Sequence, residues 1–244
     1  MDGHYPRRVG GRLACPHRRF PATLTVAMAR KMEVHGDQQD ADRIIAECRA
    51  GASAMATAFV TRDPDALRYL SGVITTGPAL PASQFMLSSA RLVDDVLATL
   101  VAATLGGDPT EAEIVQAWHS FEPKARERSI SALQRLADEQ IRAGLPEDEV
   151  QRTIANSIRE TDAGLATALP LLRAFIAGDE AGFDRMLTAA AKERKISQAV
   201  RATPLIIRDL FETAVNTAYG VATEQQIQRE WENFMLARSA EPGP

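Results

Sequence analysis

Two adjacent carboxylates, Asp94 and Asp95 in the stretch LVDDVLATL, are the groups in this 244-residue chain that come nearest to a chemical motif. On one helix they could begin a magnesium site. Magnesium, however, asks for a fuller octahedral set of oxygens than two neighbouring carboxylates supply. The fifth position of the pattern is Ala98 rather than a third acid. Arg91 lies three residues before Asp94 and four before Asp95, a helical spacing at which it neutralises both on a polar edge facing solvent.

The broken pattern resembles the DDxxD motif of helical isoprenoid enzymes. Those enzymes carry a second acidic cluster, which Asn216-x-x-x-Gly220-x-x-x-Glu224 matches only faintly. The histidines are His4, His17, His35 and His119, and none has a glutamate at ligand spacing, so a zinc or a di-iron centre is not expected. Gly106-Gly107 lacks the lysine and the preceding strand of a phosphate loop. No serine lies in GxSxG, and Cys15 and Cys48 have neither CxxC spacing nor a catalytic context. The chain therefore nominates no catalytic, cofactor-binding or metal-ligating residue and no cofactor. The balance leans away from an enzyme, while a helical enzyme or a small apolar-ligand binder with dispersed site residues stays open.

A basic run, RMLTAAAKERKISQAVRATPLIIR (185–208), offers a second kind of site: Arg185, Lys192, Arg194, Lys195, Arg201 and Arg208 against Glu193. Such a face could meet nucleic-acid phosphates. An ordinary solvated face, with cations favoured near a helix C-terminus, explains it as well. Just upstream, RAFIAGDEAGFDRML is similar in cadence to the opening of sigma-factor region two. The aromatic, basic promoter-melting helix that should follow is missing, and no family is assigned.

The third candidate is apolar. EQQIQREWENFMLAR (224–238) gathers Ile227, Trp231, Phe234 and Met235 on one side of a helix. They either close the core or form a protein interface with Trp231 as its anchor.

The elements that must position these groups are almost all helices. Apolar residues are 45% of the chain and aromatics 5%, and alanine and leucine carry most of the apolar mass, which suits helix-on-helix packing. Stripes at helical period run through Ile130, Leu133, Ala137 and Ile141, and through Val150, Ile154, Ile158, Leu165 and Leu169. Punctuation is equally clear. Asp63-Pro64 and Asp108-Pro109 read as helix starts, Thr110…Glu113 and Thr223…Gln226 as capping boxes, and Gly144, Gly178 and Gly220 as helix stops. MATAFVTRDPDALRYL (55–70) and LLRAFIAGDEAGFDRML (171–187) share this punctuation without being a repeat.

The expected fold is all-α, an irregular bundle of nine or ten helices: 39–60, 64–75, 82–105, 109–120, 123–143, 146–169, 171–177, 179–194, 197–219 and 223–238. VITT (73–76) is the one strand candidate. A flexible basic leader, 1–35, precedes helical subdomains 36–121 and 122–244 that part near Glu122-Pro123. Residues 1–31 hold seven cations and one acid, so they carry +6 and the remainder −10 of the net −4. Arginine-rich and acid-poor, the leader could be a targeting arm or a basic tail that touches nucleic acid; the expected reading is a floppy N-terminus, with Met28 or Met32 a candidate for the real start. The apolar stretch 85–107 is interrupted by Arg91, Asp94 and Asp95, so no membrane span is expected. The sequence reads as a soluble, cytoplasmic protein in a reducing compartment, acting as an adaptor, scaffold or assembly component on another protein or on itself. A nucleic-acid-binding regulator is the alternative.

Overall fold

The computed structural model describes residues 38–63 and 82–239. The basic leader, the helix expected at 64–75 and the VITT stretch lie outside them. The described residues form seven helices and no strand: α1 (Gln38–Val60), α2 (Ala82–Leu105), α3 (Glu111–Arg142), α4 (Glu147–Ile176), α5 (Glu180–Lys192), α6 (Ile196–Tyr219) and α7 (Glu224–Ser239). The all-α expectation holds, and the helix count falls because expected breaks are absent. Helices 109–120 and 123–143 are one helix running through Pro123, and 146–169 and 171–177 are one running through Pro170. Pro204 also lies inside a helix, within the expected span 197–219.

The reason is packing on both sides of each ring. A proline inside a helix costs about 3 kcal/mol through its missing N–H and its clash with the preceding turn. Around Pro123 the side chains of Phe121 and Ala125 both enter the core, and around Pro170 those of Ala168, Leu171 and Leu172 do. Burying two or more such groups outweighs the local cost. Pro204 is itself buried, and the Thr203 hydroxyl beside it donates to the Ala199 carbonyl (2.9 Å).

α2 is the central helix. Fifteen of its 24 residues are buried, so it is enclosed on nearly every side rather than amphipathic. α6 packs along it, with Thr203 reaching Met86, and α1 covers another flank. α7 closes the bundle with an aromatic cluster in which the Phe211 ring meets Trp231 edge-on at 4.9 Å and Phe234 sits 5.3 Å from Trp231. The Trp231 indole N–H donates to Thr57 Oγ1 at 3.0 Å, so burying it leaves no unmet donor. One large core joins residues before and after Pro123, from Cys48 to Phe234.

Helix ends follow the sequence closely. Thr110 and Glu113 form the capping box, which makes Thr110 rather than Asp108 the N-cap of α3. The twin phrases end their helices in the same way. The Asp63 N–H bonds the Ala58 carbonyl and the Asp179 N–H bonds the Ala174 carbonyl, with Arg62 (φ 54°) and Gly178 (φ 70°) in the left-handed conformation between. Asp179 then caps α5 by accepting from the Gly182 N–H at 2.8 Å.

Candidate functional site

The apolar face of α7 points inward. Ile227, Trp231 and Phe234 are buried in the large core and Met235 packs half-buried against it, so only the edge of Met235 could meet a partner. The stripe closes its own bundle because α1 and α6 already supply Thr57 and Phe211 to receive it.

The basic run divides in two. Lys192, Arg194 and Lys195 are exposed around the turn from α5 into α6, and Arg185 is exposed about two turns earlier on α5. Lys195 pairs with Glu193 at 2.6 Å, and Arg194 takes the left-handed conformation (φ 56°) that ends α5. Arg201 is half-buried against Glu160 (3.7 Å). Arg208 serves the fold: it donates to the Phe59 and Val60 carbonyls (2.9 and 2.7 Å) and forks onto Glu224 at 3.0 Å. Thirteen residues of helix put Arg208 about 20 Å from Lys195 along α6. The six cations therefore do not form one face.

The acidic pair is also absorbed by the fold. Asp94 is buried rather than on a solvent edge, and Asp95 holds the Arg238 guanidinium at 2.7 Å. Arg91, placed by spacing beside both, has its affinity for its proton lowered mainly by burial and by Arg49, against the pull of Asp95. Neither the ordering of α7 nor its gift of Arg238 to this cluster is signalled by local spacing. Among the described residues no group of three or more potential ligands could hold a metal ion, and His119 stands exposed on α3. Two open grooves carry mixed linings: one of about 400 Å³ between Ala82, Ser83, Arg194 and Ile196, the other of about 380 Å³ between Asn156, Glu160 and Gln198.

What the sequence did not reveal is an arm. Past the large core, α3 and α4 continue together and pair with each other around a second, small core. Among the side chains described there, Ala137, Val150 and Ile154 are buried in it, while Leu133, Ile141 and Ile158 pack against them half-buried. Ile130 lies half-exposed on α3 where the arm begins. From Ile130 to Gly144 the arm is about 21 Å long. Its tip turns at Gly144 (φ 91°), where the Gly144 and Leu145 N–H groups bond the Ile141 and Gln140 carbonyls, and Leu145 is 51% exposed. Its base is fastened by ion pairs. Arg126 forks onto Asp162, holding that carboxyl below its ordinary range, and Arg128 reaches Asp209 at 3.5 Å across to α6. Both stripes were legible as stripes. That the first half of the α4 stripe faces α3 alone, and the second half the large core, depends on where the bundle ends.

The chain matches no family model, no curated protein and no solved structure.

No helix among the described residues is long and apolar enough to cross a membrane. The other large exposed apolar side chains, Leu105, Tyr219, Val221 and Leu236, stand singly or at helix ends, which is ordinary for a protein surface.

Proposed function

We propose that this chain acts through protein–protein contact, as an adaptor, scaffold or assembly component, and that the α3–α4 arm is its contact surface. The observation that carries this reading is the arm's small core: Ala137, Val150 and Ile154 are buried, and Leu133, Ile141 and Ile158 pack against them half-buried. Two helices alone bury too little to need 30-residue lengths for stability, and a third or fourth helix laid on the seam would complete it. A reducing, cytoplasmic setting suits the buried, unpaired Cys48, whose thiol burial pushes up to about 11.

A photo-crosslinking residue placed at Leu145 on the arm, and separately at Tyr219 as a control, tests this in cells. A discrete adduct at the arm and none at Tyr219 is expected. Equal, diffuse labelling at both positions would sink the reading.

A second reading, contact with nucleic acid, rests on the three exposed cations around the α5–α6 turn, Lys192, Arg194 and Lys195. It requires DNA or RNA binding by fluorescence anisotropy that weakens steeply with salt, and that is reduced by charge reversal at Lys192, Arg194 and Lys195. Absence of binding at low salt removes it.

A further inference from the structure

We infer that the partner completing the arm is a second copy of this chain, laid antiparallel so that each tip meets the other's base. This rests on the arm being the contact surface and goes further in naming the occupant. Charge along the arm is sorted by position. The tip, residues 138–149, has five acids (Asp138, Glu139, Glu147, Asp148 and Glu149) against Arg142, for a net −4. The base, taken with the stretch of α3 that leads into it (residues 124–135 and 150–162), has six cations (Lys124, Arg126, Arg128, Arg135, Arg152 and Arg159) against Glu127, Glu160 and Asp162, for a net +3, with Arg126 and Arg128 already paired to Asp162 and Asp209.

Part of this sorting has a local cause. Glu147, Asp148 and Glu149 fill the first turn of α4, where the helix dipole favours anions. Asp138 and Glu139 do not fit that account, because they lie at the C-terminal end of α3, where the dipole favours cations. A two-fold axis across the middle of the arm turns the sorting into complementarity, tip on base twice over, while the half-exposed seams meet between. Such a contact is closed: the same surface is used by both copies and no filament grows from it.

Size sets the strength. A face about 20 Å long and two helices wide offers on the order of 400 Å² per copy, about half that of a standard stable interface. The dimer is therefore weak and depends on its charges, with salt as its principal control.

Analytical ultracentrifugation of the full chain tests the assignment. At ~200 µM and ~50 mM salt a dimer is expected, with its dissociation constant raised at least ~10-fold at ~500 mM salt. The tip variant Glu147→Lys/Asp148→Lys/Glu149→Lys and the base variant Lys124→Glu/Arg152→Glu/Arg159→Glu should each be monomeric. Mixed together they should form a heterodimer, since both contacts are then opposite in sign again. The base variant leaves the α4 N-terminus untouched, so it remains informative if the tip variant folds poorly. A wild-type chain that stays monomeric at ~200 µM overturns the inference, as does a dimer indifferent to both reversals. The crosslinking test at Leu145 is independent of either result, because a different partner protein would leave the purified chain monomeric.

Discussion

Gly164 is where α4 and α6 come closest, and replacing it with alanine should destabilise the protein although alanine is the better helix former. A Cβ at this position would lie 2.4 Å from the Gln198 carbonyl oxygen and 2.8 Å from the Ala202 Cβ. Ordinary contacts of those kinds need roughly 0.8–1 Å more, and the nearest obstacle is backbone, which cannot swing aside as a side-chain tip can. The helices must therefore separate along a contact that includes Leu165, Ala168, Ala199 and Ala202, all buried. A gap of 0.5–1 Å forfeits a quarter to a half of each dispersion contact, at ~0.1–0.2 kcal/mol apiece, so about twenty atom pairs cost on the order of 1 kcal/mol. Residual strain brings overpacking to ~1–3 kcal/mol. Against this stands ~1 kcal/mol of helix propensity gained by replacing glycine. The net is a loss of up to about 2 kcal/mol.

The neighbouring exposed residue supplies the control. Ala163→Gly should cost ~1 kcal/mol through propensity alone, so the preference for alanine at 163 inverts at 164. Urea unfolding followed by circular dichroism reads both, with a lower midpoint and an unchanged slope for Gly164→Ala. A Gly164→Ala protein more stable than wild type would refute the close crossing, and with it the register of α4 on α6.

Trp231→Ala should cost ~3–5 kcal/mol in the purified monomer, measured by thermal melting, because the ring is wholly buried between Phe211 and Phe234. Arg194→Gly should stabilise by ~1 kcal/mol, or about 2–4 °C in melting temperature, by relieving a left-handed backbone at an exposed position. Burial holds the Asp209 carboxyl above its ordinary 3.8 against the pull of Arg128. The folded state thus binds this proton more tightly than the unfolded one, a support present below about pH 3.8 and lost as pH rises through the raised value. Asp209→Asn should therefore gain stability relative to wild type in denaturation series run from about pH 3 to pH 7. Cys48, buried and with its thiol pushed up to about 11, should resist thiol reagents in a Cys15→Ser background until the protein unfolds.

Local rules made much of this fold readable, and their limits are specific. The capping box at Thr110, the glycine stops at Gly144 and Gly178 and the helical stripes act within a few residues of one another, so spacing alone exposes them. Pro123 and Pro170 mislead because the penalty for proline is local while the burial that outweighs it is not. The same asymmetry governs the candidate sites. Spacing correctly grouped Ile227, Trp231 and Phe234 on one side of α7, but whether a stripe faces a core or a partner is decided by the helices opposite it. Arg208 shows this for charge. In sequence it is one cation in a basic run, and in space it satisfies two carbonyls at the end of α1, 148 and 149 residues away along the chain. Gly164 stood unremarked in a run of small residues, since a close crossing has no one-dimensional signature beyond small size.

The two acidic residues at the end of α3 bear on how the arm should be understood. A helical hairpin shaped by its own stability alone would carry cations near the C-terminus of its first helix and anions at the N-terminus of its second. α4 obeys this with Glu147, Asp148 and Glu149, and α3 obeys it at Arg142 but not at Asp138 and Glu139. With both kinds of acid at one end, the tip repels itself across the turn, a cost of a few tenths of a kcal/mol per like-charged pair. The seam shows a milder pattern in apolar form, since Leu133, Ile141 and Ile158 pack against the small core only half-buried. Each departure is small, and each is relieved by the same event, the arrival of a cationic surface with an apolar strip between its charges. The base of the arm is such a surface, and it lies about 20 Å from the tip, the separation at which two antiparallel arms coincide end to end.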